Sequence, residues 1–284
     1  KRDCQPSNSV EHKIRLSQSL INWCFFRQSL KHMLIRKSSL LYSMEKLPLF
    51  VLPMVLLPGE VQELRVFEPR YKQMLDDCLL DEKNFGLVRS DYLSQINHWD
   101  GPMEYGCEAE IIHHETKGSN HFLEIIGRRR FTISKVHQPA LPPFSHPSMS
   151  KFMEKEGIYP DLESLIEEIP EDVETSKLYI SGDVDFIETT EVMNESQQND
   201  LEEIVRGILH RVGLILKVDD ETFTNWIQTS PIMDAINEKP GSVFAVSAML
   251  MGDLDLRQEI LEAKDVDAVM ALLHKELEKF SEEE

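Results

Sequence analysis

From Leu47 to Leu57 almost every position is apolar, so both alternating faces are hydrophobic, as in a strand covered on both sides. Pro58-Gly59 then predicts a turn. Val61 to Phe67 alternates, with Leu64 and Val66 interleaved between Glu63 and Arg65. Pro69 suits the first position of a helix, where its missing N–H would have had no partner. Tyr71, Met74, Leu75, Cys78 and Leu79 follow as one apolar stripe. Phe85–Val88 reads as a short strand. Cys107–Glu115 and His121–Ile126 read as a hairpin about Lys117-Gly118-Ser119-Asn120, and Phe131–Val136 as a continuation of the sheet. Short strands, one helix and tight turns predict a small closed or half-closed barrel over residues 44–138.

Residues 139–176 read as an insertion, opening on Pro139, Pro142, Pro143 and Pro147 and holding one short helix at Asp161–Ile169. From Glu154 to Glu203 there are 17 acidic residues against two basic ones, the pattern of a solvated or mobile face. Residues 177–190, with Leu178–Ile187 at their centre, are expected to return a strand to the barrel. The period then changes. Leu201, Ile204, Val205, Ile208, Leu209, Val212 and Leu216 form a helical stripe, and Ser230-Pro231, Ser242 and Asp265 mark later helix starts. The last helix presents Val269, Leu273, Leu277 and Phe280, so residues 191–284 are expected to form a bundle of four or five helices.

Charge changes the picture at both ends. The chain of 284 residues has a formal net charge of −20, which disfavours nucleic-acid binding by phosphate neutralisation and docking on anionic lipid. Residues 1–43, however, carry a net +6 and are rich in serine. They read either as a mitochondrial-type leader or as an extension upstream of a natural start at Met44, and stand apart from the fold on both readings. The four cysteines show no C-x-x-C spacing, which suits a reducing, cytoplasmic setting, or an organelle if the leader reading holds. No apolar run is long enough to span a bilayer.

Five short segments in order carry a resemblance: Leu47-Pro48-Leu49-Phe50, Leu56-Leu57-Pro58-Gly59, Phe67-Glu68-Pro69-Arg70-Tyr71, Gly106-Cys107-Glu108-Ala109-Glu110-Ile111 and Gly127-Arg128-Arg129-Arg130-Phe131-Thr132-Ile133. Together they resemble the amino-terminal, substrate-binding domain of Lon proteases, closely over residues 46–136 and loosely in the helical part. The resemblance implies an α+β fold, a PUA-like β-pseudobarrel followed by an α-helical bundle. It also implies binding of unfolded or partner protein segments. The insertion at 139–176 departs from the family pattern.

Chemistry is sparse. No glycine precedes a lysine, so the phosphate-cradling loop of an ATPase is missing; G-x-S-x-G and G-x-G are missing as well. We therefore expect no enzyme, no catalytic residues, no cofactor and no metal. His113, Glu115 and His121, with Cys107, are the densest metal-capable group, set against the plainer reading of a polar hairpin tip. Arg128-Arg129-Arg130 offers a phosphate or RNA contact, the alternative function, set against an ion pair of Arg130 with an acid of the fold. The face Leu47-Leu49-Val51-Val55-Leu57 is expected to fill the barrel. The opposite face, Phe50-Leu52-Met54-Leu56, is covered by the chain's own helices, or else Phe50 and Met54 line a groove for apolar peptide. The oligomeric state is not legible.

Overall fold

The computed structural model describes residues 45–91, 101–142, 144, 146–152 and 159–282. The basic stretch 1–43, Met44, Pro143, residues 154–158 of the acidic stretch and the side chain of Phe280 lie outside the described residues. The chain divides at Met44/Glu45, and all the described residues belong to the unit that begins at Glu45.

Six strands form one sheet: β1 (Glu45–Leu52), β2 (Val61–Val66), β3 (Phe85–Asp91), β4 (Gly101–Lys117), β5 (Asn120–His137) and β6 (Ser181–Ile187). Their order is β2-β5-β4-β3-β1-β6, and β6 also pairs with β5. The sheet thus closes into a barrel of β5, β4, β3, β1 and β6, with β2 outside it. β1 and β3 run parallel; the other pairs are antiparallel. The 18-residue β5 unites two segments that read separately in the sequence. One of its edges takes β2 at His121–Ile126 and β6 at Arg130–His137. Between them the turn at Leu57–Glu60 docks on Gly127, with Gly59 N donating to Gly127 O and Gly127 N to Glu60 O, both at 2.9 Å. A Cβ on Gly127 would lie 2.2 Å from Leu57 O, so no other residue fits.

Alternation holds along β1 as far as Leu52. Leu47, Leu49 and Val51 fill the barrel with Val88, Phe131, Ile180 and Val184. At Pro53, which has no N–H for a ladder, the strand ends. Val55 and Leu57 therefore do not continue the barrel face as expected. They join a larger core between barrel and helices, with Phe50, Leu56, Tyr71, Met74, Phe85, Leu201, Phe244 and Leu273. Phe50 is 3% exposed, its ring 4.2 Å from that of Tyr71 and 5.9 Å from that of Phe85. It is a core residue and cannot line a groove. Met54 is half-buried against the same core.

Helix α1 (Pro69–Asp81) buries Tyr71, Met74, Leu75 and Cys78. The insertion holds a 3-10 turn (Pro147–Phe152) and α2 (Leu162–Glu167), where Asp161 accepts the Ser164 N–H at 2.8 Å. It is more than a solvated face: Ala140, Met149, Leu165 and Leu178 make a small core of their own. After β6 come α3 (Glu195–Leu216), α4 (Asp220–Thr229), α5 (Pro231–Ala235), α6 (Ser242–Leu250), α7 (Leu254–Glu262) and α8 (Val266–Glu282). A reciprocal capping box of Asn194 and Gln197 starts α3, and Asp219 and Asp253 cap α4 and α7. Gly241, rather than Ser242, caps α6.

Two buried arginines tie barrel to helices. Arg257 donates to Val55 O at 2.8 Å and to Glu60 Oε2 at 2.5 Å. Arg130 has no acidic partner among the described residues. Its Nη1 donates to Leu261 O and Ala263 O at the carboxyl end of α7, and its guanidinium lies 4.5 Å from the Phe244 ring centroid. Helix-terminal carbonyls lack intrahelical donors, and the helix dipole puts negative charge there, so a cation is stabilised in place of a carboxylate partner.

Candidate functional site

The apolar stripe of α3 outruns its support. Leu201, Ile204, Val205 and Ile208 are buried, whereas Val212, Leu214, Ile215 and Leu216 are 36, 58, 76 and 65% exposed. The first half packs against α8, where a Cβ on Gly207 would meet Leu277 at 3.2 Å. The last turn is met by α4. Gly213 is buried because Phe223 closes over it, 3.0 Å from where a Cβ would stand. Phe223 in turn meets His210 and Trp226 edge-on, at 5.5 and 6.3 Å between ring centroids. Lys217, in the left-handed region at φ 55°, ends the helix. The result is an apolar knob on a two-helix corner. Its signal in the sequence is the run Leu214-Ile215-Leu216, which is apolar around the whole turn and so cannot all face a core.

The residues singled out for chemistry are differently placed. Arg128 pairs with Glu110 at 2.6 Å, and Arg129 with the buried Glu108 at 2.7 Å while lying 3.6 Å from the Phe186 ring centroid. Burial pushes the Glu108 carboxyl up, but the Arg129 and Asn84 hydrogen bonds outweigh it and hold the group below its ordinary value. With Arg130 on carbonyls, all three guanidinium groups are engaged within the fold.

At the hairpin tip, His121 lies across from Thr116, so it shares a face with His114 and not with His113 and Glu115. His114 Nε2 and His121 Nδ1 are 3.1 Å apart. Burial first, then the charges of His114 and Lys72, lower the His121 pKa against the pull of Asp76. The three ligands of the metal reading are therefore not brought together, and Cys107 is fully buried. Among the described residues no group of three or more His, Cys, Asp or Glu could hold a metal.

A cleft of about 730 Å³ is lined by Lys46, Asp77, Cys78, Lys83, His137 and Lys177, among others. Several of its charges are paired: Lys177 meets Asp77 at 2.8 Å, Tyr179 donates to Asp77 at 2.6 Å, and Lys83 meets Asp81 at 3.0 Å. The Cys78 thiol is pushed up to about 12, first by burial and then by Asp77 and Asp81, which removes it as a nucleophile near neutral pH. No helix of the described residues is long and apolar enough to cross a membrane.

A barrel with a helical annex and an exposed apolar knob, without an assembled catalytic group among the described residues, has the character of a binding module. The family model for the ATP-dependent protease La (LON) substrate-binding domain matches residues 46–279. The chain belongs to that family. Solved structures agree in fold. The Lon N-terminal domain protein of Xanthomonas campestris is 18% identical, with a TM-score of 0.50, over 81% of this chain and 98% of that one. The N-terminal domain of the Mycobacterium avium complex Lon protease is 14% identical, with a TM-score of 0.51, over 82% of this chain and 98% of that one. Comparison with curated protein sequences returns no match.

Proposed function

We propose that this chain is a non-enzymatic recognition or adaptor module that binds unfolded or partner protein segments without ATP. The observation that carries this reading is the apolar knob at the carboxyl end of α3, with Leu214, Ile215 and Leu216 all more than half exposed. Exposed apolar clusters on a soluble surface mark interaction sites, and a rigid platform limits the ordering cost of binding. The α3–α4 corner is such a platform, fixed by the Gly213–Phe223 contact. An unfolded segment offers the matching apolar side chains.

The test is binding of reduced, carboxymethylated lactalbumin, a permanently unfolded client, followed by fluorescence anisotropy with and without ATP. The triple variant Leu214→Ser, Ile215→Ser, Leu216→Ser should bind at least about tenfold more weakly, while its Tm stays within about 2 °C because nothing buried is lost. Unchanged affinity in that variant, or strict dependence on ATP, refutes the reading.

A further inference from the structure

We infer that the open edge of β2 is a strand-addition site for an extended polypeptide carrying a basic residue opposite Glu63. The inference rests on the recognition-module reading but uses a different surface from the α3 knob.

β2 pairs with β5 alone, and among the described residues no backbone group meets its other edge. Alternate residues of an antiparallel strand turn their N–H and C=O toward the partner. The bond from Gly127 N to Glu60 O sets the phase, and the register Val61↔Ile126 to Val66↔His121 runs without a shift. Gln62, Leu64 and Val66 therefore bond to β5, and Val61, Glu63 and Arg65 direct their peptide groups outward. Consistent with this, the Glu63 carbonyl accepts only the neighbouring Gln62 side-chain amide, at 3.2 Å. The distal edge of β4 is also unpaired among the described residues, but a bulge between Ile111 and His113 interrupts it. β2 is the regular template.

Charge selects the occupant. The side chains of Glu63 and Arg65 share an outer face of about 420 Å³ with His113, Glu115, Phe122 and Glu124. Glu63 stands directly opposite Glu124, an unfavourable cross-strand pair of like charges. Glu115 is occupied by Lys117 at 2.7 Å, whereas neither Glu63 nor Glu124 has an ion-pair partner among the described residues. A lysine or arginine on an incoming strand would meet both carboxylates, and exposed Val61, Phe122 and Phe67 would receive apolar neighbours. A second copy of this chain does not fit. Two β2 strands paired two-fold about Glu63 would oppose Glu63 to itself, with Glu124 beside each. Carboxylates on an edge strand are a known guard against such self-pairing.

The probe is a fluorescent heptapeptide of alternating threonine and valine with a central lysine, titrated into the full chain by anisotropy. Glu63→Pro removes an outward N–H while keeping every bond to β5, and should weaken binding at least about tenfold with Tm moved by less than about 2 °C. Glu63→Gln should weaken the lysine peptide severalfold and leave a peptide with central threonine unchanged. The same peptide N-methylated throughout should not bind the unaltered chain, whereas one N-methylated on alternate residues, which keeps one bonding edge, should still bind. This pair of peptides decides the matter even if the proline variant misfolds. Failure of the parent peptide to bind, or equal binding by the fully N-methylated one, overturns the proposal. So does concentration-dependent dimerisation abolished by Glu63→Pro, which would give the edge to a second copy. Loss of lactalbumin binding in the α3 variant with heptapeptide binding intact separates the two sites, so either reading can fail without the other.

Discussion

Three consecutive arginines on β5 should differ widely in what they contribute to stability. Arg130 is 4% exposed and donates to Leu261 O and Ala263 O, 131 and 133 residues away in sequence. Hydrogen bonds from a charged donor contribute about 1.5–3 kcal/mol each, partly offset by desolvating the guanidinium, and Arg130 Nε has no partner. Arg130→Met removes the charge but strands two buried carbonyls at the end of α7, for a net cost of about 2–4 kcal/mol. In a domain of this size each kcal/mol lowers Tm by about 2–4 °C, so the fall should be about 4–16 °C. Arg128→Met breaks a pair whose side chains are 45 and 42% exposed, and should cost no more than about 1 kcal/mol. Arg129→Met should fall between, because it leaves the buried Glu108 carboxylate with Asn84 alone. Calorimetry and urea titration of the three variants give the ranking. A Tm for Arg130→Met within about 2 °C of the parent, or an equal loss in Arg128→Met, would refute the assignment of Arg130 as the tie between barrel and helices.

Two further predictions concern the barrel. Gly127→Ala would place a methyl 2.2 Å from Leu57 O, where backbone faces backbone and neither side can yield. The variant should lose at least about 2 kcal/mol in urea unfolding, and a loss under about 0.5 kcal/mol would show that the turn does not dock there. The Glu108 carboxyl titrates below its unfolded value, so its contribution to stability is present above the unfolded pKa and lost as pH falls through the folded one. Glu108→Gln should therefore flatten the stability–pH curve on the acid side of about pH 4.5, and an unchanged slope there would contradict the shift.

Local structure was legible wherever a short-range rule decided it. The stripe of α1, the hairpin turn with Gly118 at φ 62°, and the cap of α8 by Asp265 all follow from neighbours within a few residues. Long-range outcomes were not. The phase of β1 past Leu52 depends on where the chain must go after Pro53. The partner of Arg130 is a helix end that no spacing rule connects to β5. His121 shares a face with His114 rather than His113 because the tight turn pairs Lys117 with Asn120 and so sets His121 opposite Thr116, and a one-residue difference in register inverts the face. The α3 knob was partly readable. The sequence extends the stripe to Leu216, but only the fold reveals that the bundle stops short of it.

The pairing of β1 with β6 makes the barrel's first strand wait for its last. Glu45 lies opposite Val184, and β6 also supplies the partner for the second half of β5. A chain emerging from the ribosome would have β1, β3, β4 and β5 in hand by His137, yet two of those strands would still expose unpaired edges. The insertion, with Leu165 of its small core, must then be made before Ser181–Ile187 arrives to close the ring. Such closure by a late, distant strand is slow, and open edges in the meantime invite pairing with other chains. The exposed carboxylates of residues 161–174, already made in that interval, would keep neighbouring nascent chains apart by charge until the barrel shuts.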